Sequence, residues 1–296
     1  KYLKFSFIFT LIIGFCLILT TCGVTKQEMG VIINLSGKQR MLTQKMSQEI
    51  LFIAKGIEVE ENKEELRKTE ILFHDTLIGL FNGDSELGLV KIEVPEIKEQ
   101  LEEVSCLWKA FRKNVKAVLK EKSVSKEKSV SKDVLDSTAM LNMPLLIAMN
   151  KTVTLYKKES GSILEQSMAV TINLAGRQRM LTQKMTKELL LVALNIEQQV
   201  NQVRLAGTVF EFEEILEGLL NGNDELGLPK TESKDIRNQL ENSVKKKWIE
   251  YKPILTKGFI PGSQVSQGDL YTAFKLNLSL LEEMEKAVQM YTNSVK

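Results

Sequence analysis

Residues 34–46 read NLSGKQRMLTQKM, and the chain repeats them 139 positions later, where residues 173–185 read NLAGRQRMLTQKM. Only two of the thirteen positions differ, Ser36 against Ala175 and Lys38 against Arg177. Each copy sets Gly, Gln and Arg at fixed places inside an apolar pattern of helical period. Packing alone would accept many other sequences there, so near-identity points to a helix surface that is used. The repetition extends outward from these boxes. LIGLFNGDSELGL (77–89) returns as LEGLLNGNDELGL (216–228), and Ile97, Gln100 and Leu101 return as Ile236, Gln239 and Leu240. Trp108 and Trp248 follow with a slip of one residue, and the segment Met149–Tyr156 matches Met284–Tyr291. Two tandem copies of one domain-sized unit account for the chain.

Apolar residues recur at helical spacing through both copies. Val31, Leu35, Leu42, Met46, Ile50 and Ile53 step by three, four or seven, and Val170, Leu174, Leu181, Met185, Leu189 and Val192 repeat the stripe. The pattern predicts helices over 26–59, 62–81, 96–120 and 133–159, then 163–199, 201–220, 233–256 and 268–293. Asn82-Gly83 and Asn221-Gly222 end the second helix of each unit, where Gly accepts a left-handed backbone. Pro95 and Pro229 mark the following loops, and the polar hexapeptide duplicated in 121–132 reads as a loop. The expected fold is all-α: two tandem up-down four-helix bundles, residues 23–160 and 161–296. At the junction, Ser162 followed by Glu165 reads as a capping box that starts a new helix after a turn at Gly161. Reversal there sets the bundles side by side and parallel. The alternative is one continuous helix through 133–199, which stacks them end to end.

Residues 1–22 read as a targeting segment. Lys1 and Lys4 precede the apolar run 5–19, and Leu19-Thr20-Thr21-Cys22 resembles a lipobox with Cys22 as the lipidated residue, although Thr21 stands where a smaller residue is usual. An uncleaved membrane anchor is the alternative, and both readings place the rest of the chain outside the cytoplasm. The missing initiator Met reads as a trimmed start. Excluding Lys1 and Lys4, basic and acidic residues balance at 38 each, so no basic stripe argues for nucleic acid. Cys106 is left without an intrachain disulfide partner and is expected to be a buried thiol. His74 is the sole histidine, so neither a metal site nor histidine-based catalysis is expected. No nucleophile–base–orienter set can be assembled, and an enzyme is not expected. No cofactor is expected either.

On a helical wheel, Ile33, Ser36, Gly37, Thr43, Gln44 and Ser47 fall within roughly 60° of Arg40, while the stripe through Leu35 and Leu42 lies on the far side. Arg40 therefore points away from its own bundle, among small residues that let another backbone come close. The second copy presents Ala175, Gly176, Arg179, Thr182 and Gln183 in the same way. Two such helices packed across a pseudo-twofold axis would bring Arg40 and Arg179 together. Like charges about 4 Å apart cost about 4 kcal/mol at an effective dielectric near 20, and an anion between them removes that cost. The planar guanidinium fork suits a planar oxyanion.

The box N-L-[SA]-G-x-Q-R-M-L-T-Q-K-M resembles the signature of the PilJ-type domain of type IV pilus chemoreceptors. It is also similar to the periplasmic box of nitrate/nitrite sensor kinases. The resemblance covers most of residues 26–293, in two copies. It implies four-helix bundles that pair through their first helices, with nitrate or nitrite held between them by the box Gly and Arg: Gly37 and Arg40 in one copy, Gly176 and Arg179 in the other. Ser36, Ala175, Gln44 and Gln183 line the same helix face and complete the expected ligand-binding set. A second basic position of the sensor-kinase box falls on Lys45 and Lys184. Relatives of this type continue into a membrane helix and output modules, whereas this sequence stops, so signalling without a partner is not expected. The expectation is therefore an extracytoplasmic oxyanion sensor, anchored to the membrane, that signals through a membrane sensor kinase or chemoreceptor. Its boxes pair within one chain or across a homodimer. The alternative from another class is a structural or adaptor lipoprotein that pairs with another PilJ-type protein and takes no small ligand.

Overall fold

The computed structural model describes residues 24–120 and 130–295. The expected targeting segment, Cys22 included, and most of the 121–132 loop lie outside the described residues. Among the described residues eight helices form two units: α1 (Lys26–Ala54), α2 (Val59–Asn82), α3 (Pro95–Lys120) and α4 (Lys132–Glu159), then α5 (Gln166–Ala193), α6 (Gln198–Asn221), α7 (234–256) and α8 (Gln267–Asn293). No strand forms among the described residues; the two pairings Asp84–Leu89 and Asn223–Leu228 are isolated bridges inside equivalent turns. Among the described residues no helix is long and apolar enough to cross a membrane.

The repeated N-G-x-x-E-L-G-L stretch is one tight turn, built twice. Gly83 and Gly222 stop α2 and α6 at φ of 80° and 84°. A Cβ on Gly79 or Gly218 would stand 2.9 Å from Leu89 or Leu228, which fold back over it. The stretch repeats because it caps a helix end.

The chain reverses between the units. A short 3-10 turn, Ser160–Ser162, ends α4, and α5 begins only at Gln166. Its N-cap is Glu165, which makes no side-chain cap bond, so the helix does not start at Ser162 as the capping-box reading expects. The reversal is real, but the turn needs three more residues to come about. It lays α1 and α5 side by side and parallel, each serving two packings: α1 against α2, α4 and α5, and α5 against α6, α8 and α1. Apolar contacts consequently run unbroken from one unit through the α1–α5 seam into the other.

The one-residue slip between the tryptophans also has a physical form. Residues 239–244 of α7 make a π-helical turn, between the α-helical parts Lys234–Asn238 and Lys245–Thr256. A π turn takes in one extra residue. Trp248 thereby meets Phe212 at 4.5 Å between ring centroids, as Trp108 meets Phe73 at 4.4 Å.

Two expectations from periodicity are corrected. Cys106 is exposed, not buried: α3 buries Leu101, Val104, Trp108 and Phe111, and position 106 falls on the opposite face. Leu35 and Leu174 are only half-buried. At that level the inward side is held by Gln39 and Gln178, whose amides donate to the backbone oxygens of Phe73 (3.3 Å) and Phe212 (2.9 Å).

Candidate functional site at the seam of the two boxes

Almost the whole of α1 is buried, including Ser36, Gln39, Arg40, Thr43, Gln44, Lys45, Ser47, Gln48 and Glu49. Burying polar groups is costly unless each finds a partner, so the partners reveal what the box does. They sort by direction. Gln39 and Gln178 tie each box helix to its neighbour within the bundle. Lys45 turns the same way, to Glu49 (2.5 Å) and Thr69 (3.2 Å), and Lys184 to Glu188 (3.3 Å) and Thr208 (2.7 Å). The second basic position of each box therefore faces its own bundle and not the seam.

The arginines face the seam. Helical side chains lean toward the N-terminus, so each guanidinium reaches back and across to the other helix. Arg40 Nη2 donates to the Asn173 backbone oxygen at 3.2 Å, and Arg179 Nη2 to the Asn34 backbone oxygen at 3.2 Å and its Oδ1 at 2.8 Å. The glycines make room. A Cβ on Gly37 would lie 3.2 Å from Arg40 Nη2, and one on Gly176 would lie 3.3 Å from Arg179 Nη2 and 3.9 Å from Arg40 Nη2. Gly37, Arg40, Gly176 and Arg179 thus come together as the motif reading expects. Ser36 and Ala175 are fully buried in the same seam, Ser36 closing on the Ile33 oxygen. Gln44 and Gln183 belong to a polar layer further along. Gln44 accepts from Lys187 Nζ (2.9 Å), and Gln183 donates to Asn277 Oδ1 (3.0 Å).

The two halves of the seam differ in charge. Arg179 Nη1 meets Glu285 Oε2 at 2.7 Å, and Lys38 reaches the same carboxylate at 2.8 Å. The equivalent contact of Arg40 is to the neutral Asn150 Oδ1, at 3.4 Å. Arg40 is 2% exposed. Burial, then repulsion from Arg177 and Arg179, against some relief from Glu211, pulls it down to about 9. Burial pushes the Glu285 carboxyl up, but Arg179 and Lys38 outweigh it and hold it at about 2. Arg177 pairs with Glu211. Counted over the seam, Glu285 and Glu211 answer three of the four cations and Arg40 keeps an unanswered positive charge only in part offset by neutral oxygens. Asn173 Oδ1 and Arg179 Nε are buried there without hydrogen-bond partners.

Glu285 and Asn150 are the residues that motif reasoning misses. They lie on α8 and α4, far in sequence from the boxes, yet Asn150 and Glu285 stand opposite one another when Met149–Tyr156 is set against Met284–Tyr291. That mismatch is the available signal. Among the described residues no group of three His, Cys, Asp or Glu is placed to hold a metal.

Comparison with known proteins bears on the same elements. The family model described as type IV pili methyl-accepting chemotaxis transducer N-term, PilJ, matches residues 25–133 and again 164–264. A solved structure, the ligand-binding domain of the P. aeruginosa nitrate receptor McpN, is similar at 29% identity over 43% of this chain and 97% of its own, with a TM-score of 0.37. No curated protein matches.

Proposed function

The chain belongs to the PilJ family, and from that premise we propose that it is an extracytoplasmic sensor whose two boxes bind one small monovalent oxyanion at the α1–α5 seam. Nitrate or nitrite comes first among the candidates. The observation that carries this reading is Arg40: a buried guanidinium beside a second arginine, with no carboxylate of its own. An arriving anion would replace weak neutral acceptors with charge-assisted bonds, which are about twice as strong. Gly37 and Gly176 keep the space in which those bonds form. Because the seam joins helices of both units, occupancy would change how the two bundles sit against each other. A membrane-bound kinase or chemoreceptor would read that change.

Calorimetry with nitrate, nitrite, chloride and sulfate tests the reading. One nitrate or nitrite per chain is expected, with the melting temperature raised. A ligand at 100 times its dissociation constant stabilises by about 2.7 kcal/mol. If millimolar nitrate and nitrite leave both heat and melting temperature unchanged, the oxyanion reading fails. The adaptor alternative would then stand.

A further inference from the structure

The polar layer below the boxes holds a buried lysine that the oxyanion site does not use. Lys187 is 4% exposed, and its Nζ donates to Gln44 Oε1 at 2.9 Å and Asn142 Oδ1 at 3.0 Å. An ammonium has three donors, so one remains. Lys187 lines a recess of about 10 Å³, together with Ser47 and Thr138. That is close to the least space one oxygen atom of water needs. Thr138 is 2% exposed, and its Oγ1 is buried without a hydrogen-bond partner. The recess shares Ala139, Met143, Glu197 and Arg204 with an outer cleft of about 350 Å³, which adds Asp136, Met140 and Ile196.

The internal repeat supplies a control. By the two repeat offsets, Ala139 corresponds to Phe274 and Leu191 to Phe52. Those two rings pack edge to face at 5.2 Å and fill the sister position. The sister of Lys187 is Gln48, that of Thr138 is Ala273, and that of Arg204 is Glu65. One side of the molecule is thus closed, neutral inside and acidic at the edge. The other is open, holds Lys187 inside, and carries Arg204 at its mouth with two carboxylates, Asp136 and the exposed Glu197, the latter pairing loosely with Arg204 at 3.6 Å. Burial, foremost, pushes Lys187 down to about 8.

We propose that this cleft, between α4 of the first unit and α5 and α6 of the second, is a separate binding site for a small monocarboxylate with a short apolar body. One carboxylate oxygen enters the recess and accepts from Lys187 Nζ and Thr138 Oγ1. The other turns to Arg204, which exchanges Glu197 for it. The hydrocarbon part lies on Ala139, Met140 and Met143.

Calorimetry on the full chain with butyrate and with benzoate is the test. At least one of them binds, at one per chain. Ala139→Phe, which gives this cleft the ring of its sister, weakens that binding about tenfold or more, and so does Lys187→Gln, the loss expected when a charged hydrogen bond is removed. Lys187→Gln installs the residue the sister already folds with, so it remains informative if the larger ring is not accommodated. Arg40→Ala leaves carboxylate binding intact, and Ala139→Phe leaves any nitrate response intact, which keeps this site distinguishable from the seam. The proposal is overturned if neither carboxylate binds at millimolar concentration, or if Lys187→Gln binds them as well as the parent.

Discussion

The seam sets a buried arginine without a carboxylate beside one that has a carboxylate, and the difference predicts unequal responses to the same substitution. Removing one partner of a buried pair costs more than removing a lone buried charge, because it strands the survivor. Arg179→Met leaves Glu285 with Lys38 alone and is expected to lower stability by about 1–3 kcal/mol, reduced from the fully buried case because that carboxylate is partly exposed. Arg40→Met strands only neutral oxygens and is expected to cost less than about 1 kcal/mol. Urea unfolding measures both. Either change abolishes anion binding, so stability and binding separate at Arg40 and not at Arg179. Glu285→Gln is the complementary change. It raises the charge of the site by one and makes its two halves alike, so nitrate affinity is expected to rise about tenfold and sulfate to begin competing, as calorimetry would show. The same carboxylate gives a pH signature. Its folded value, about 2, lies below the ordinary 4.5, so its stabilisation is complete above that ordinary value and is lost as pH falls from about 4.5 toward 2. In Glu285→Gln that part of the acid sensitivity should vanish from the melting curve.

At the scale of elements, the π turn in α7 makes a prediction from the one-residue slip. The turn absorbs a residue that α3 lacks, so deleting the exposed Asn242 should let α7 take the register of α3 and return Trp248 to Phe212. The loss is expected to stay below about 2 kcal/mol. Deleting the equally exposed Cys106 has no such reserve. It turns Trp108 away from Phe73 and should cost about 3–5 kcal/mol, the scale of emptying an aromatic core position. Circular dichroism melts of the two deletions would show whether the contrast holds. The elements also show what was legible beforehand. Helical period and the Gly stops at 83 and 222 follow from local rules about backbone and repetition, whereas the reversal between the units does not, since the expected cap at Ser162 does not form and α5 starts only after Glu165. The misreadings concern faces. A helix buried on three sides does not display one apolar stripe, so the period points Leu35 inward where the fold sets Gln39. The chemistry of cysteine favours burial at position 106, although its spacing from Val104 and Trp108 turns it outward. The arginine pair of the seam was legible because its spacing places it opposite the stripe. Its asymmetry was not, because Glu285 reaches the seam only through tertiary packing of α8.

In the whole molecule, tandem duplication places both halves of the seam in one chain. A single-box protein must dimerise to bring two such helices together, whereas here α1 and α5 pair within the chain and each arginine reaches the backbone of the other helix. If that pairing is the functional one, affinity does not depend on protein concentration and one chain binds one anion. Mixing variants decides the matter more sharply than stoichiometry. Arg40→Ala retains an intact second box, and Arg179→Ala an intact first box. Were the boxes to pair between chains, a mixture of the two variants would assemble some seams with both arginines, and part of the nitrate response would return. With pairing inside the chain every molecule in the mixture still lacks one arginine from its only seam, so calorimetry should find the mixture as silent as either variant alone. Recovered binding that grows with total protein concentration would show instead that a second copy completes the site.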